Sequence, residues 1–166
     1  MAKSEKELDR ALAAALEINP TLVAWLLSHT QFAGMDLQFH SCRSDHPWGS
    51  HPFVVLNAET GEPEQTRRQS ETDILLLLKD RQDNIFALHI ENKLGAGAFT
   101  KLQPEMYAQR AQHWIGNPKY GNYQAFDTVL LAPNGFRDRN SSQLAHFGGF
   151  ISHEEMAQYV PVFGDA

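Results

Sequence analysis

Leucines at positions 8, 12 and 16 recur every four residues, with Ala11, Ala14 and Ala15 between them. That spacing makes one apolar face on a helix of strong helix formers. The pattern predicts helix from Glu5 to Leu27, broken at Asn19-Pro20, with Pro20 in the first turn of a second short helix over Thr21 to Ser28. From Thr30 to Gln65 the periodicity fades; Pro47, Gly49, Pro52, Gly61 and Pro63 mark a loop-rich stretch with a short strand at Pro52 to Asn57. Glu71 to Lys79 then carries the continuous apolar run ILLLL of a strand buried on both faces. KDRQDN supplies a turn, and Ile85 to Lys93 reads as the returning strand. Gly95 and Gly97 end it, and Thr100 caps a helix that runs to about Trp114 and stops at Asn117-Pro118. Further strands are expected over Phe126 to Ala132 and Phe147 to Ile151, before a short helix where Ser152 and Glu155 have capping-box spacing. The order is helix, strand hairpin, helix, strand, strand, helix, which is mixed α/β.

The hairpin has one register that keeps its apolar face intact. If its turn centres on Gln82, Ile74 faces Ile90, Leu76 faces Leu88 and Leu78 faces Phe86. A slip of one residue would mix Asp73 into that face. In the preferred register Asp73 lies opposite Glu91, with Lys93 two residues on and pointing the same way. Like charges directly opposed across a strand pair repel. Two carboxylates so placed either share a proton or hold a cation, and hard divalent ions favour such oxygen ligands. The Lys93 ammonium beside them can stabilise developing negative charge. On spacing alone the three residues also fit ordinary polar positions at strand ends.

Composition narrows the classes. The chain has 166 residues, 42% of them hydrophobic and 20% charged, enough for a single domain with a real core. No apolar run approaches the length of a membrane span, and MAKSEKELDR lacks the apolar stretch of a secretory signal. The lone Cys42 excludes an internal disulfide and fits a reducing cytoplasm. A net charge of −6 argues against a nucleic-acid coat protein but not against an enzyme that grips nucleic acid through a local patch. Arg67, Arg68, Lys101, Arg110, Arg137 and Arg139 are candidates for that patch, with a solvated surface as the alternative. His40, Cys42, His46 and His51 are zinc-type ligands within twelve residues, in a spacing that matches no standard zinc motif; a polar loop is the expectation.

The segments SETDILLLLKD and NIFALHIENKL, followed by a helix opening on LQPEMY, resemble the PD-(D/E)xK nuclease superfamily, and especially a bacterial branch reading I-E-N-K followed by Q-x-x-x-Y. The specific match covers Ser70 to Tyr107, with Thr72-Asp73 where the family name has Pro-Asp. The resemblance implies one domain over 1–166 with a restriction-endonuclease-like core, a mixed central sheet flanked by helices in αβββαβ order. It implies a nuclease hydrolysing phosphodiester bonds with Mg²⁺ or Mn²⁺, acting on DNA before RNA, with no membrane partner and a homodimer left open. Asp73 and Glu91 would be metal ligands, with the Asn92 carbonyl as a further one. Lys93 would act on the attacking water and Gln103 would assist. Many members add a glutamate from the first helix; of Glu5, Glu7 and Glu17, Glu5 is favoured because it shares the Leu8/Leu12 stripe. On the same helix as Gln103, Tyr107 and Trp114 are expected as core anchors. The rival readings are a catalytically inactive nucleic-acid- or protein-binding module on the same fold and a zinc-stabilised interaction domain.

Overall fold

The computed structural model describes residues 3–165. Two helices, α1 (Glu5–Ile18) and α2 (Pro20–Leu27), precede three strands, β1 (Gln38–Arg43), β2 (Trp48–Leu56) and β3 (Pro63–Glu71). Next come β4 (Ile74–Lys79), β5 (Ile85–Asn92), α3 (Gln103–His113) and β6 (Ala125–Ala132). The chain ends through α4 (Asn134–Arg139), β7 (Gly149–Ser152) and α5 (His153–Met156). Both breaks in the helical pattern have their expected causes. Ser4 and Glu7 form a capping box on α1, and Asn19 caps α2 with Pro20 in its first turn. The Ser152/Glu155 capping box on α5 is also present.

Five strands form one mixed sheet in the order β1-β4-β5-β6-β7. β1, β4 and β5 are antiparallel neighbours, whereas β5, β6 and β7 run parallel, linked by crossovers that contain α3 and α4. The β4–β5 register pairs Ile74 with Ile90, Leu76 with Leu88 and Leu78 with Phe86. Those side chains pack with Leu8, Leu12 and Leu16 of α1 and Leu22 and Leu26 of α2 in the main core. The alternate residues Leu75, Leu77 and Ala87 pack with Trp114, Tyr120 and Tyr123 on the other face. Burial on both faces explains the unbroken apolar run in β4. Among the described residues no single helix is long and apolar enough to cross a membrane; α1 and α2 meet at 110° and lay their leucines on the sheet.

Three expectations need correction. The strand expected over Glu71 to Lys79 is interrupted at Thr72 and Asp73, where the chain leaves one sheet and enters another. The stretch from Thr30 to Gln65 is about half strand, and the strand expected at Pro52 to Asn57 is present but begins earlier, at Trp48. Within it, β1 forms the sheet edge, and β2 pairs with β3 in a separate two-stranded sheet from Trp48↔Glu71 to Leu56↔Pro63. The element order therefore has more strands before α3 than αβββαβ allows. β3 is polar and mostly exposed, and β1 is a half-buried edge strand of mixed residues, so no apolar periodicity marks either. Gly49 in β2 reads as a breaker, yet a Cβ there would run into the Tyr120 hydroxyl, which bonds the Trp48 carbonyl at 2.9 Å.

The fold carries a simple stability contrast. Leu76→Ala empties a site with no exposure in the middle of the sheet and should cost about 2–5 kcal/mol. Leu56→Ala, on the exposed tip of β2, should stay within about 0.5 kcal/mol. Urea unfolding monitored by circular dichroism measures both, and equal losses would contradict this placement.

Candidate active site

The break at Thr72 sets the site. β3 delivers the chain to Thr72, whose amide donates to the Pro47 carbonyl at 3.0 Å. Its hydroxyl lies 2.8 Å from His89 Nδ1 and accepts from Arg110 Nη2 at 2.7 Å. Asp73 follows, 7% exposed, with Oδ2 accepting the Asn92 amide at 2.9 Å. That bond takes the place of a ladder bond at the end of the β4–β5 pair, and it ties the first acid to the strand bearing the second.

Glu91 has no exposed surface. Alternation along β5 sends Glu91 to the α3 side together with Lys93, and Asn92 to the α1 side. Lys93 Nζ is 2.8 Å from Glu91 Oε1, which also accepts from Gln103 Nε2 at 2.7 Å. The Tyr107 hydroxyl donates to Glu91 Oε2 and lies 3.4 Å from the Asp73 amide. Gln103 and Tyr107 are four apart on α3, so one helical face presents both donors. Tyr107 is thus fully buried, as an anchor would be, yet its hydroxyl belongs to the acid cluster. Trp114, by contrast, is core alone, stacked on Tyr120 with centroids 3.6 Å apart.

Asn92 secures an acid that the sequence reading passed over. Its Nδ2 donates to Asp9 Oδ1 at 2.8 Å, and its Oδ1 is 2.8 Å from His153 Nε2. Asp9 sits on α1 with no exposed surface, in the same stripe as Leu12 and Leu16. A carboxylate at apolar spacing is the signal for it, whereas the resemblance points to the helix glutamates. Of those, Glu5 is half-buried and accepts the Leu94 amide at 3.2 Å, next to Lys93. Glu7 is exposed and spent on the Ser4 cap, and Glu17 is exposed.

The basic candidates divide. Arg110 belongs neither to a phosphate-binding patch nor to a solvated surface: it is 1% exposed, reaching Ser70 Oγ at 2.9 Å and Thr72 and lying 4.1 Å from the Tyr107 ring centroid. It steadies the segment that carries Asp73. Arg67, Arg68, Lys101 and Arg139 are exposed. The His/Cys group does not gather on one ion. Cys42 packs against the main core and burial raises its thiol to about 12. His40 is exposed, and His51 is buried with Nε2 2.7 Å from Ser70 Oγ. His46 instead turns towards Asp9, Glu71 and Asp73.

The electrostatics follow from burial. Removal from water raises the Asp73 carboxyl to about 6, against the Asn92 amide and with help from Asp9. Burial and then the Asp73 charge raise Glu91 to about 8, against Lys93 and Tyr107. Asp9 is raised for the same first reason. For Lys93, burial opposes the charge, but Glu91, Glu5 and Asp73 together outweigh it and hold the ammonium protonated further into the alkaline range. Two buried acids, of which Asp73 disfavours the ionisation of Glu91, beside one lysine, offer oxygens of the kind a divalent cation takes. Asp73 and Glu91 could hold it, with charge balance that Lys93 alone does not supply.

No family model matches the chain, and no curated protein or solved structure does either.

The raised acids fix the sign of a pH effect. Unfolded, Glu91 loses its proton near 4.5 and Asp73 near 3.8; folded, they keep it to about 8 and about 6. The native state therefore binds more protons in this window, and stability falls as pH rises through it, by up to about 1.4 kcal/mol per pH unit for each group. In chelator-treated protein these two acids should pull the melting temperature down from about pH 5 to about pH 8, against the opposite pull of the buried His89 and His153, and Glu91→Gln should remove the upper part of the downward pull. Differential scanning calorimetry of wild type against Glu91→Gln reads this directly, and identical pH profiles for the two would sink the assignment.

Proposed function

We propose that the protein is a divalent-metal-dependent nuclease of the PD-(D/E)xK superfamily, with a restriction-endonuclease-like core, hydrolysing phosphodiester bonds in DNA with Mg²⁺ or Mn²⁺. The observation that carries this reading is the convergence of Asp73, Glu91 and Lys93, with Lys93 Nζ 2.8 Å from Glu91 and Asp73 bonded to the intervening Asn92 amide. The five-stranded mixed sheet between helices is consistent with such a core. So is the pair of donors, Gln103 and Tyr107, that α3 supplies to Glu91.

Asp73 and Glu91 would hold the cation, with the Asn92 carbonyl as a further ligand by resemblance. Bound there, the cation supplies Lewis-acid stabilisation of charge on a phosphoryl oxygen. The residues of the chain do the remainder. The Asn92 amide fixes one Asp73 oxygen, while Gln103, Tyr107 and Lys93 fix both Glu91 oxygens, so the ligands need little reorganisation. Lys93 keeps its proton on Nζ and offers positive charge where negative charge develops as water attacks phosphorus. Glu5, bonded to the Leu94 amide, steadies the turn that follows Lys93. The exposed Arg67 and Arg68 lie on β3, the strand that leads into Asp73, and are available to backbone phosphates.

Lys93→Met separates this enzyme from a binding module. The substitution keeps much of the aliphatic stem and removes a charge that cannot itself ligate a metal. Turnover on labelled duplex, single-stranded or branched DNA, or RNA, with Mg²⁺ or Mn²⁺ should fall by about two to three orders of magnitude. Metal binding should persist and nucleic-acid affinity should fall only slightly, since one phosphate contact is a small part of a many-contact footprint. Glu91→Gln should weaken metal binding and cleavage together. A fully active Lys93→Met variant refutes the mechanism; wild type that binds DNA tightly and cuts nothing favours the inactive module.

A further inference from the structure

His46 lies in the turn between β1 and β2, in the left-handed backbone region at φ 53°. A non-glycine residue rarely adopts that conformation unless its surroundings hold it there. Here the side chain is held at both nitrogens. Nε2 is 3.0 Å from Oδ2 of the fully buried Asp9, whose other oxygen is fixed by Asn92. Nδ1 is 3.2 Å from Glu71 Oε1 and 3.6 Å from Asp73 Oδ1, and all these ligand-type atoms of His46, Glu71 and Asp73 lie within 4.8 Å of one another.

We propose that His46 Nδ1, Glu71 and Asp73 form a second divalent-cation position, beside the Asp73/Glu91 position and sharing Asp73 with it, that selects Mn²⁺ over Mg²⁺. One ring nitrogen carries one proton, which can bond only one of two carboxylates well. A cation in its place binds the nitrogen lone pair and both carboxylates at once. Ligand atoms about 2.1 Å from one ion at ordinary coordination angles stand about 3.0–3.5 Å apart, close to the separations from Nδ1 to the two acids. The opposite ring nitrogen donating to a buried carboxylate is the arrangement that fixes the tautomer of a metal-bound histidine and makes it a better ligand. Imidazole marks the preference: it suits transition-metal ions, whereas Mg²⁺ keeps to oxygen. Glu71 is the last residue of β3, its side chain 54% exposed, so the position opens to solvent on the hairpin side. The site depends on its own geometry and holds whether or not the protein cleaves nucleic acid.

Tag-free protein, stripped with chelator and titrated with MnCl₂, tests this by electron paramagnetic resonance. Wild type should bind Mn²⁺ and show, in the pulsed experiment, coupling to a directly bound ¹⁴N nucleus. His46→Gln should lose that coupling and weaken Mn²⁺ binding at least tenfold, with a smaller loss for Mg²⁺ measured by competition. Glu71→Gln, at a solvent-facing strand end where folding is not at risk, should weaken Mn²⁺ severalfold and retain the coupling. Glu91→Gln should retain it too, because the other position is the one impaired. Absence of nitrogen coupling in wild type, or its persistence in His46→Gln, overturns the proposal; so does a Glu71→Gln variant with unchanged affinity, which would leave His46 as an imidazolium clamped between acids. Loss of cleavage with nitrogen coupling intact would instead count against the nuclease reading alone.

Discussion

The burial of three carboxylates, Asp9, Asp73 and Glu91, is the constraint around which the rest is arranged. Each is nearly or wholly withdrawn from water, where an ionised carboxylate without compensation is costly. Fixed donors meet them: the Asn92 amide and side chain, Gln103, Tyr107 and Lys93. Those donors come from β5 and α3, and the acids from α1, the start of β4 and β5. No one element could assemble the group, so its geometry is a property of the whole sheet and both its helical layers. Arg110 shows the economy of charge. It is buried nearby but bonds Ser70 and Thr72, aligning the approach to Asp73 without forming an ion pair with any of the acids.

The Glu91-Asn92-Lys93 triplet serves both sides of the sheet at once. Its outer members turn to α3, where Gln103 and Tyr107 await Glu91. Its middle member turns to α1 and α5, clasping Asp9 with one end of its amide and meeting His153 with the other. Burial lowers the His153 imidazole to about 4, so that ring stays neutral beside the amide near neutral pH. A substitution at Asn92 would therefore loosen Asp9 and Asp73 together, one through the side chain and the other through any shift of the amide.

Legibility in the sequence tracked apolar pattern. The β4–β5 register could be read from ILLLL and the alternation after it, because only one pairing keeps Ile74, Leu76 and Leu78 on a common buried face. The same register predicts Asp73 opposite Glu91, and the structure brings them into one cluster. Of the β2–β3 arm only the strand at Pro52 to Asn57 was legible; exposed β3 needs no apolar period, half-buried β1 shows none, and Gly49 and Pro52 imitate loop punctuation. Asp9 lay in plain view on the leucine stripe. Arg110 and His46 were obscure for another reason: their roles depend on partners forty and twenty-seven positions away, Ser70 and Asp73, which no local window joins.

The handover at Thr72 separates a strand open to drift from one that is not. Downstream, Ile74 to Leu78 of β4 each answer to packed neighbours, alternately on the two faces of the sheet. Upstream, β3 is a run of polar side chains facing water, so its outer positions can be exchanged, lengthened or recharged with little consequence for the core. Thr72, pinned by Pro47, His89 and Arg110, keeps such changes from reaching Asp73. Selection can rework what the arm touches, generation after generation, while the acids stay where they are.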